Sequence, residues 1–398
     1  MRSEEQTKFW APLLVSAYGT FQHFTKSIPK RHISEAFTLH PSSFITNKSV
    51  AKQRLPKLFT SHSSLLTKIS LLLLFLIVSF PLQAKSVDYS RLPAARAFVE
   101  RMHSRYGFDK ARLYALLKRA KHQSETLARY QGRHKVGSTD FSWSRYKRKI
   151  LIAESVALGR RFMAKNRRWL RLASRRYRVS PEIISAFIRV ESKFGLYGHE
   201  YPVWDSLVTL AFNPNRKQKF FREELEQLLI LARKNRLDVL KLRGSFAGAM
   251  GCVQQVPSIQ LRYGVDLDGD GRKDPDSMAD CIGSIASFLH RHGWKDLRPT
   301  LVPARHSGEA FLRLRSGYRS RYSLSTLKRY GITPARRFTS KEAYYIRLRE
   351  GSRYALYLGD ANYRIITRYN ASKRYAVTIA LYAKALKTIS GNKSNSMY

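Results

Sequence analysis

The chain has 398 residues, 43% hydrophobic and 12% aromatic, which is long enough for two or three domains and apolar enough for packed cores. Its formal net charge of +45 excludes an acidic, solvating chain and favours polyanions: nucleic acid, anionic lipid or an acidic cell-wall polymer, unless a basic composition common to the lineage explains it. Only two cysteines occur, Cys252 and Cys281, with no CxxC pair and no Cys/His cluster, which argues against a zinc site.

Residues 1–64 are polar, basic and poor in periodicity, and read as a disordered segment or an upstream extension. Residues 65–84 carry the layout of an export signal: Lys68, a nearly unbroken apolar run from Ile69 to Phe80, then Pro81-Leu82-Gln83-Ala84. The run is short for a membrane span of about 20 residues. A cleaved signal and an uncleaved signal anchor both remain open, the latter giving membrane association. In an exported chain Cys252 and Cys281 could pair.

Residues 86–180 read as a helical domain. Phe98, Met102 and Tyr106, then Leu113, Leu116 and Leu117, recur at helical spacing, and Gly107 separates the two segments. Gly132, Gly137 and Ser138-Thr139-Asp140 mark a loop before a second basic helical pair.

The stretch from Ser180 to Gly195 carries the strongest helix signals. Ser180 suits an N-cap, Pro181 the first turn, Glu182 the positive helix end and Gly195 a left-handed stop. Ile184, Phe187, Ile188 and Glu191 share one face. Glu191 therefore lies on an apolar stripe, where a carboxyl's pKa rises and it can act as a general acid. The alternative is a helix-end Glu in solvent, or paired with Arg189 or Lys193.

Four further stretches follow. Gly244-Ser245-Phe246-Ala247-Gly248-Ala249-Met250-Gly251 is rich in small residues after a second N-cap candidate, Ser245, and leads to Gln254, which can both donate and accept. It reads as a close-packed Gly/Ala helix or a ligand wall. Asp266-Leu267-Asp268-Gly269-Asp270-Gly271-Arg272-Lys273-Asp274 matches the first positions of an EF-hand loop, with Ser277 where a bidentate Glu is expected. It reads as a weak calcium site or a solvated acidic turn. Residues 297–359 alternate short apolar runs with Pro and Gly and read as a small β-rich or mixed insert. Residues 360–390 return to helix, with Arg368-Tyr369-Asn370 and Tyr375 as sugar-stacking and hydrogen-bonding candidates, and the tail from Ser390 is polar.

The order of these motifs resembles the lytic murein transglycosylase B family. It runs from Val190-Glu191-Ser192-Lys193-Phe194-Gly195 through Asp205-Ser206-Leu207-Val208-Thr209-Leu210-Ala211-Phe212, the Gly244–Gly251 stretch with Gln254 and the acidic loop to Ile366-Thr367-Arg368-Tyr369-Asn370. The resemblance covers roughly residues 90–390. It implies a mainly α fold: a lysozyme-like helical core of the goose-type kind (181–296 and 360–390), an additional helical domain and the small β-containing insert. It implies a lyase that cleaves the β-1,4 bond between N-acetylmuramic acid and N-acetylglucosamine in peptidoglycan and leaves a 1,6-anhydro end. Glu191 is then the catalytic acid and base, Ser245, Gln254, Tyr369, Asn370 and Tyr375 line the glycan cleft, and Asp266, Asp268, Asp270, the carbonyl of Arg272 and Ser277 match a calcium loop. No organic cofactor is implied, nucleic acid is disfavoured as a partner, and the place of action is the periplasm. Cys252-Val253 departs from the family's usual pair before Gln254. A hydrolytic muramidase and a non-catalytic wall-binding protein of the same fold are the rival readings.

Overall fold

The computed structural model describes residues 87–132, 143–296 and 298–388. The extension, the export signal, the loop at Gly137–Asp140 and the tail from Ser390 lie outside the described residues. Among those described, no helix is long and apolar enough to cross a membrane.

The first helices are α1 (Pro93–Tyr106), α2 (Lys110–Arg119), α3 (Ser124–Gln131), α4 (Trp143–Ile150), α5 (Ala153–Lys165), α6 (Arg167–Tyr177) and α7 (Pro181–Ser192). Gly107 ends α1 in the left-handed conformation, φ 65°. Strand β1 (Tyr201–Pro202) leads into α8 (Val203–Phe212), followed by α9 (Gln218–Asn235), strand β2 (Arg243–Gly244), α10 (Pro257–Tyr263) and α11 (Met278–Arg291). The β1–β2 pair, with Tyr201 opposite Gly244, ties the approach to α8 to the small-residue stretch.

The apolar positions of 86–180 divide between two cores. Phe98, Met102, Leu113 and Leu117 pack with α8 and α9, around Trp204 and Phe221. Trp143, Phe162, Leu170 and Tyr177 instead pack around α7, together with α11 and the C-terminal helices. Tyr89, fully buried, joins the first group: its Oη meets Thr209 Oγ1, His122 Nδ1 and Asn213 Nδ2.

A five-stranded antiparallel sheet follows: β3 (Leu301–His306), β4 (Arg321–Ser323), β5 (Ile332–Pro334), β6 (Glu342–Glu350) and β7 (Arg353–Gly359), with α12 (Leu324–Arg329) between β4 and β5. The spatial order is β4-β6-β7-β3-β5. Alternate residues of a strand face opposite sides. Ala343 and Tyr345 of β6, with Leu356 and Leu358 of β7, enter a small core of the sheet's own. Ile346, Leu348 and Tyr357 enter the core around α7. The sheet is thus buried on both faces. The chain ends with α13 (Ala361–Tyr369) and α14 (Lys373–Lys387), the latter packed on α7.

Candidate active site

Helix α7 places Glu191. Pro181 holds the first turn as expected, but Ser180 caps nothing with its side chain; its own N–H donates to Asp296 Oδ1 at 3.0 Å. An aspartate 116 positions away therefore anchors the helix start. The stop also differs. The helix closes at Lys193, φ 49°, and the left-handed run continues through Phe194 and Gly195, φ 65° and 84°. Non-glycine residues resist this region. Here Phe194 is held by stacking on Phe162, centroids 4.4 Å apart, and Gly195 N–H donates to Ser192 Oγ.

Ile184, Phe187 and Ile188 are fully buried and Glu191 is only 9% exposed on the same face. Glu191 forms no salt bridge with Arg189 or Lys193; Arg189 Nε instead donates to Ser155 Oγ. Burial pushes the Glu191 carboxyl up to about 8, against a smaller lowering by the Tyr375 hydroxyl, which donates to Oε1 at 2.5 Å. At neutral pH the carboxyl is protonated. With Oε1 accepting from Tyr375, Oε2 is the oxygen left to carry the acid proton.

Three rings frame this pair. Phe187, one turn before Glu191, meets Tyr369 and Tyr375 edge-on at 5.1 and 6.0 Å, and the two tyrosines lie parallel, 6.4 Å apart. Tyr369 Oη donates to the carbonyl of Val253, which fastens α13 to the loop before Gln254. Burial raises the Tyr369 phenol well above its usual range, with the nearby Glu191 charge as a second cause.

The stretch Ser245–Val256 is not a helix. It is a run of turns and isolated bridges, because Gly248, Gly251 and Gln254 adopt φ of 76°, 63° and 48°. Ser245 Oγ accepts from the N–H groups of Ala247 and Ala249, so its hydroxyl braces this loop. Gln254 Nε2 donates to the carbonyls of Gly198 and Gly251, both at 2.9 Å, joining the loop to the segment after α7. A side chain at Gly198 would collide with this amide. Ser192 Oγ donates to Cys252 O at 2.8 Å, a link between helix and loop that helical spacing does not announce. Asn370 is buried, with its Oδ1 unpartnered among the described residues. Neither Ser245, Gln254 nor Asn370 hydrogen-bonds Glu191; its polar neighbour is Tyr375. Cys252 and Cys281 form a disulfide, Cα atoms 6.1 Å apart, fixing this loop to α11.

The acidic loop also departs from the EF-hand reading. Carboxylate oxygens of Asp266, Asp268 and Asp280 all lie within 4.8 Å of one another. Ser277 N-caps α11 and donates to Asp268 Oδ2 at 3.1 Å, while Asp270 accepts from the N–H of Arg272 in a local turn. Asp280, in the first turn of α11, supplies the acid expected at position 277. It is buried, accepts from Leu267 and Asp274 N–H groups, and its carboxyl is raised to about 6 by burial. Three converging carboxylates form a hard-oxygen donor set that fits calcium.

Residues 91–384 match the family described as Transglycosylase SLT domain. The chain is 34% identical over 299 residues to the membrane-bound lytic murein transglycosylase B of Escherichia coli (strain K12), covering 73% of this chain and 82% of that protein. Its fold is similar to that of the Escherichia coli lytic transglycosylase Slt35 in complex with calcium (TM-score 0.70, 33% identity, 75% of this chain and 94% of that one). It is similar also to the soluble lytic transglycosylase SltB1 of Pseudomonas aeruginosa (TM-score 0.67, 32% identity, 74% and 98%). With its lysozyme-like helical core and small sheet, the chain belongs to the lytic murein transglycosylase B family and is a lytic transglycosylase.

Proposed function

We propose that the chain cleaves the β-1,4 bond between N-acetylmuramic acid and N-acetylglucosamine of peptidoglycan without water, with Glu191 as its single acid and base. The carrying observation is the burial of Glu191 on the apolar face of α7, against the Tyr375 hydroxyl; that burial raises its carboxyl to about 8. Glu191 Oε2 gives its proton to the glycosidic oxygen as the C1–O bond breaks. The cation-like C1 is stabilised by the sugar's own N-acetyl group. The Glu191 carboxylate, steadied by the Tyr375 hydroxyl, then takes the proton of the 6-hydroxyl as O6 bonds to C1. Atoms balance with no water consumed, and Glu191 ends protonated. Two-carboxylate glycosidases need a second acid to hold water or sugar; closure by the sugar's own 6-hydroxyl needs only one.

In this reading Gln254, Tyr369 and Asn370 belong to the cleft wall, with Asn370 Oδ1 as a ready acceptor, and Ser245 shapes that wall from behind. Asp266, Asp268 and Asp280 would hold a calcium ion, which when bound joins the acidic loop to α11. The disulfide supports an oxidising, exported location, and the basic surface suits the anionic wall. The test is mass spectrometry of sacculus digests. Wild type is expected to release 1,6-anhydromuropeptides and Glu191→Gln none. Reducing ends from the wild type would favour a muramidase, and intact sacculi with both would favour a binding protein.

A further inference from the structure

Helices α6 and α11 end beside the start of α7, away from the end that carries Glu191. His290 Nδ1 meets the carbonyl of Tyr177 at 2.9 Å, and Asp296 receives the Ser180 N–H. Between them lies a half-open cavity of about 560 Å³ lined by Arg175, Arg178, His290, Trp294, Lys295 and Asp296. Pro181 and Glu191 lie ten positions apart, about 15 Å along the helix axis, so the cavity lies away from Glu191.

Its charge is unbalanced. Arg175, Arg178 and Lys295 are exposed and form no salt bridge among the described residues. The one acid, Asp296, is already engaged at the start of α7. Three cations against one carboxylate leave two positive charges around the opening, the complement of a dianion. Guanidinium groups match phosphate oxygens in pairs, and a lysine adds a point charge. The His290 Nδ1–H is directed at the Tyr177 carbonyl, which holds the ring at the cavity wall. Trp294, a buried indole at the wall, offers an apolar side to whatever carries the anion. The volume exceeds that of a phosphate group alone.

We propose that this cavity binds a phosphate monoester, with Arg175, Arg178 and Lys295 on the phosphate and Trp294 beside its organic part. The test uses the full chain and two probes, with chloride matched for ionic strength: inorganic phosphate by calorimetry, and phosphatidate-containing vesicles against phosphatidylcholine vesicles by co-sedimentation. The variants are Arg175→Ala/Lys295→Ala, and Arg178→Gly, which keeps the left-handed backbone that Arg178 adopts at φ 56°. We expect binding weakened about tenfold or more in both variants, with unchanged thermal midpoints and glycan cleavage. Loss on vesicles identifies a lipid-borne phosphate, and loss confined to inorganic phosphate a soluble one. Failure of both probes to bind, or equal binding by wild type and variants, overturns the proposal and assigns any anion affinity to the diffuse charge.

Discussion

Glu191 is a neutral acid kept neutral by its surroundings, which ties stability to pH. Its carboxyl titrates near 4.5 when unfolded and about 8 when folded. Between those values the folded state holds a proton that the unfolded state has lost, so this residue's contribution is full below pH 4.5 and falls until pH 8. At about 1.4 kcal/mol per pH unit the loss is about 5 kcal/mol. Glu191→Gln removes the titration. Its stability relative to wild type should climb across that window and level off above it, as read by urea unfolding at several pH values; parallel curves would count against a buried neutral acid. Tyr375 acts in the opposite direction, since its hydrogen bond lowers the Glu191 pKa. Tyr375→Phe should move the alkaline limb of kcat/KM to higher pH while slowing turnover by about tenfold or more, because the carboxylate intermediate loses its donor. A slower enzyme with an unmoved limb would make Tyr375 a packing residue only.

At the scale of elements, the loop carrying Gln254 depends on glycine where another residue cannot fit. A Cβ at Gly251 would sit 1.9 Å from the carbonyl oxygen of Pro275, at φ 63°. Gly251→Ala should cost roughly 2–4 kcal/mol in urea unfolding. Gly269→Ala, also left-handed but with open space around it, should cost only about 1 kcal/mol. Equal costs would mean that the contact with Pro275 relaxes freely. Helix α7 was legible in the sequence because its apolar spacing and Pro181 are local signals. Its true anchors were not, because Asp296 and Cys252 reach it only through the tertiary fold. The stretch from Ser245 to Val256, a loop where the sequence also admits a Gly/Ala helix, shows the same limit: small residues permit both close helix packing and left-handed turns, and contacts with Leu207 and Pro275 decide. Asp280 escaped because it lies in the helix beyond the twelve-residue loop, where an acid reads as an ordinary first-turn residue.

At the scale of the molecule, α11 joins three features: the acidic loop through Asp280, the active-site loop through Cys281, and the basic cavity through His290. If calcium fills the acidic loop, its binding stabilises the folded state by mass action, about 2.7 kcal/mol at a hundredfold excess over Kd. Calcium should therefore raise the thermal midpoint of the wild type and leave Asp268→Ala unmoved; an unresponsive wild type would remove the metal from the loop. The disulfide has a consequence in time as well as in space. In a reducing compartment Cys252 and Cys281 remain thiols, and the loop presenting Gln254 and supporting Tyr369 through Val253 is held by hydrogen bonds and packing, without the covalent tie. The covalent tie forms only in an oxidising one, so the order in which the chain meets the two compartments sets when this loop is pinned to α11.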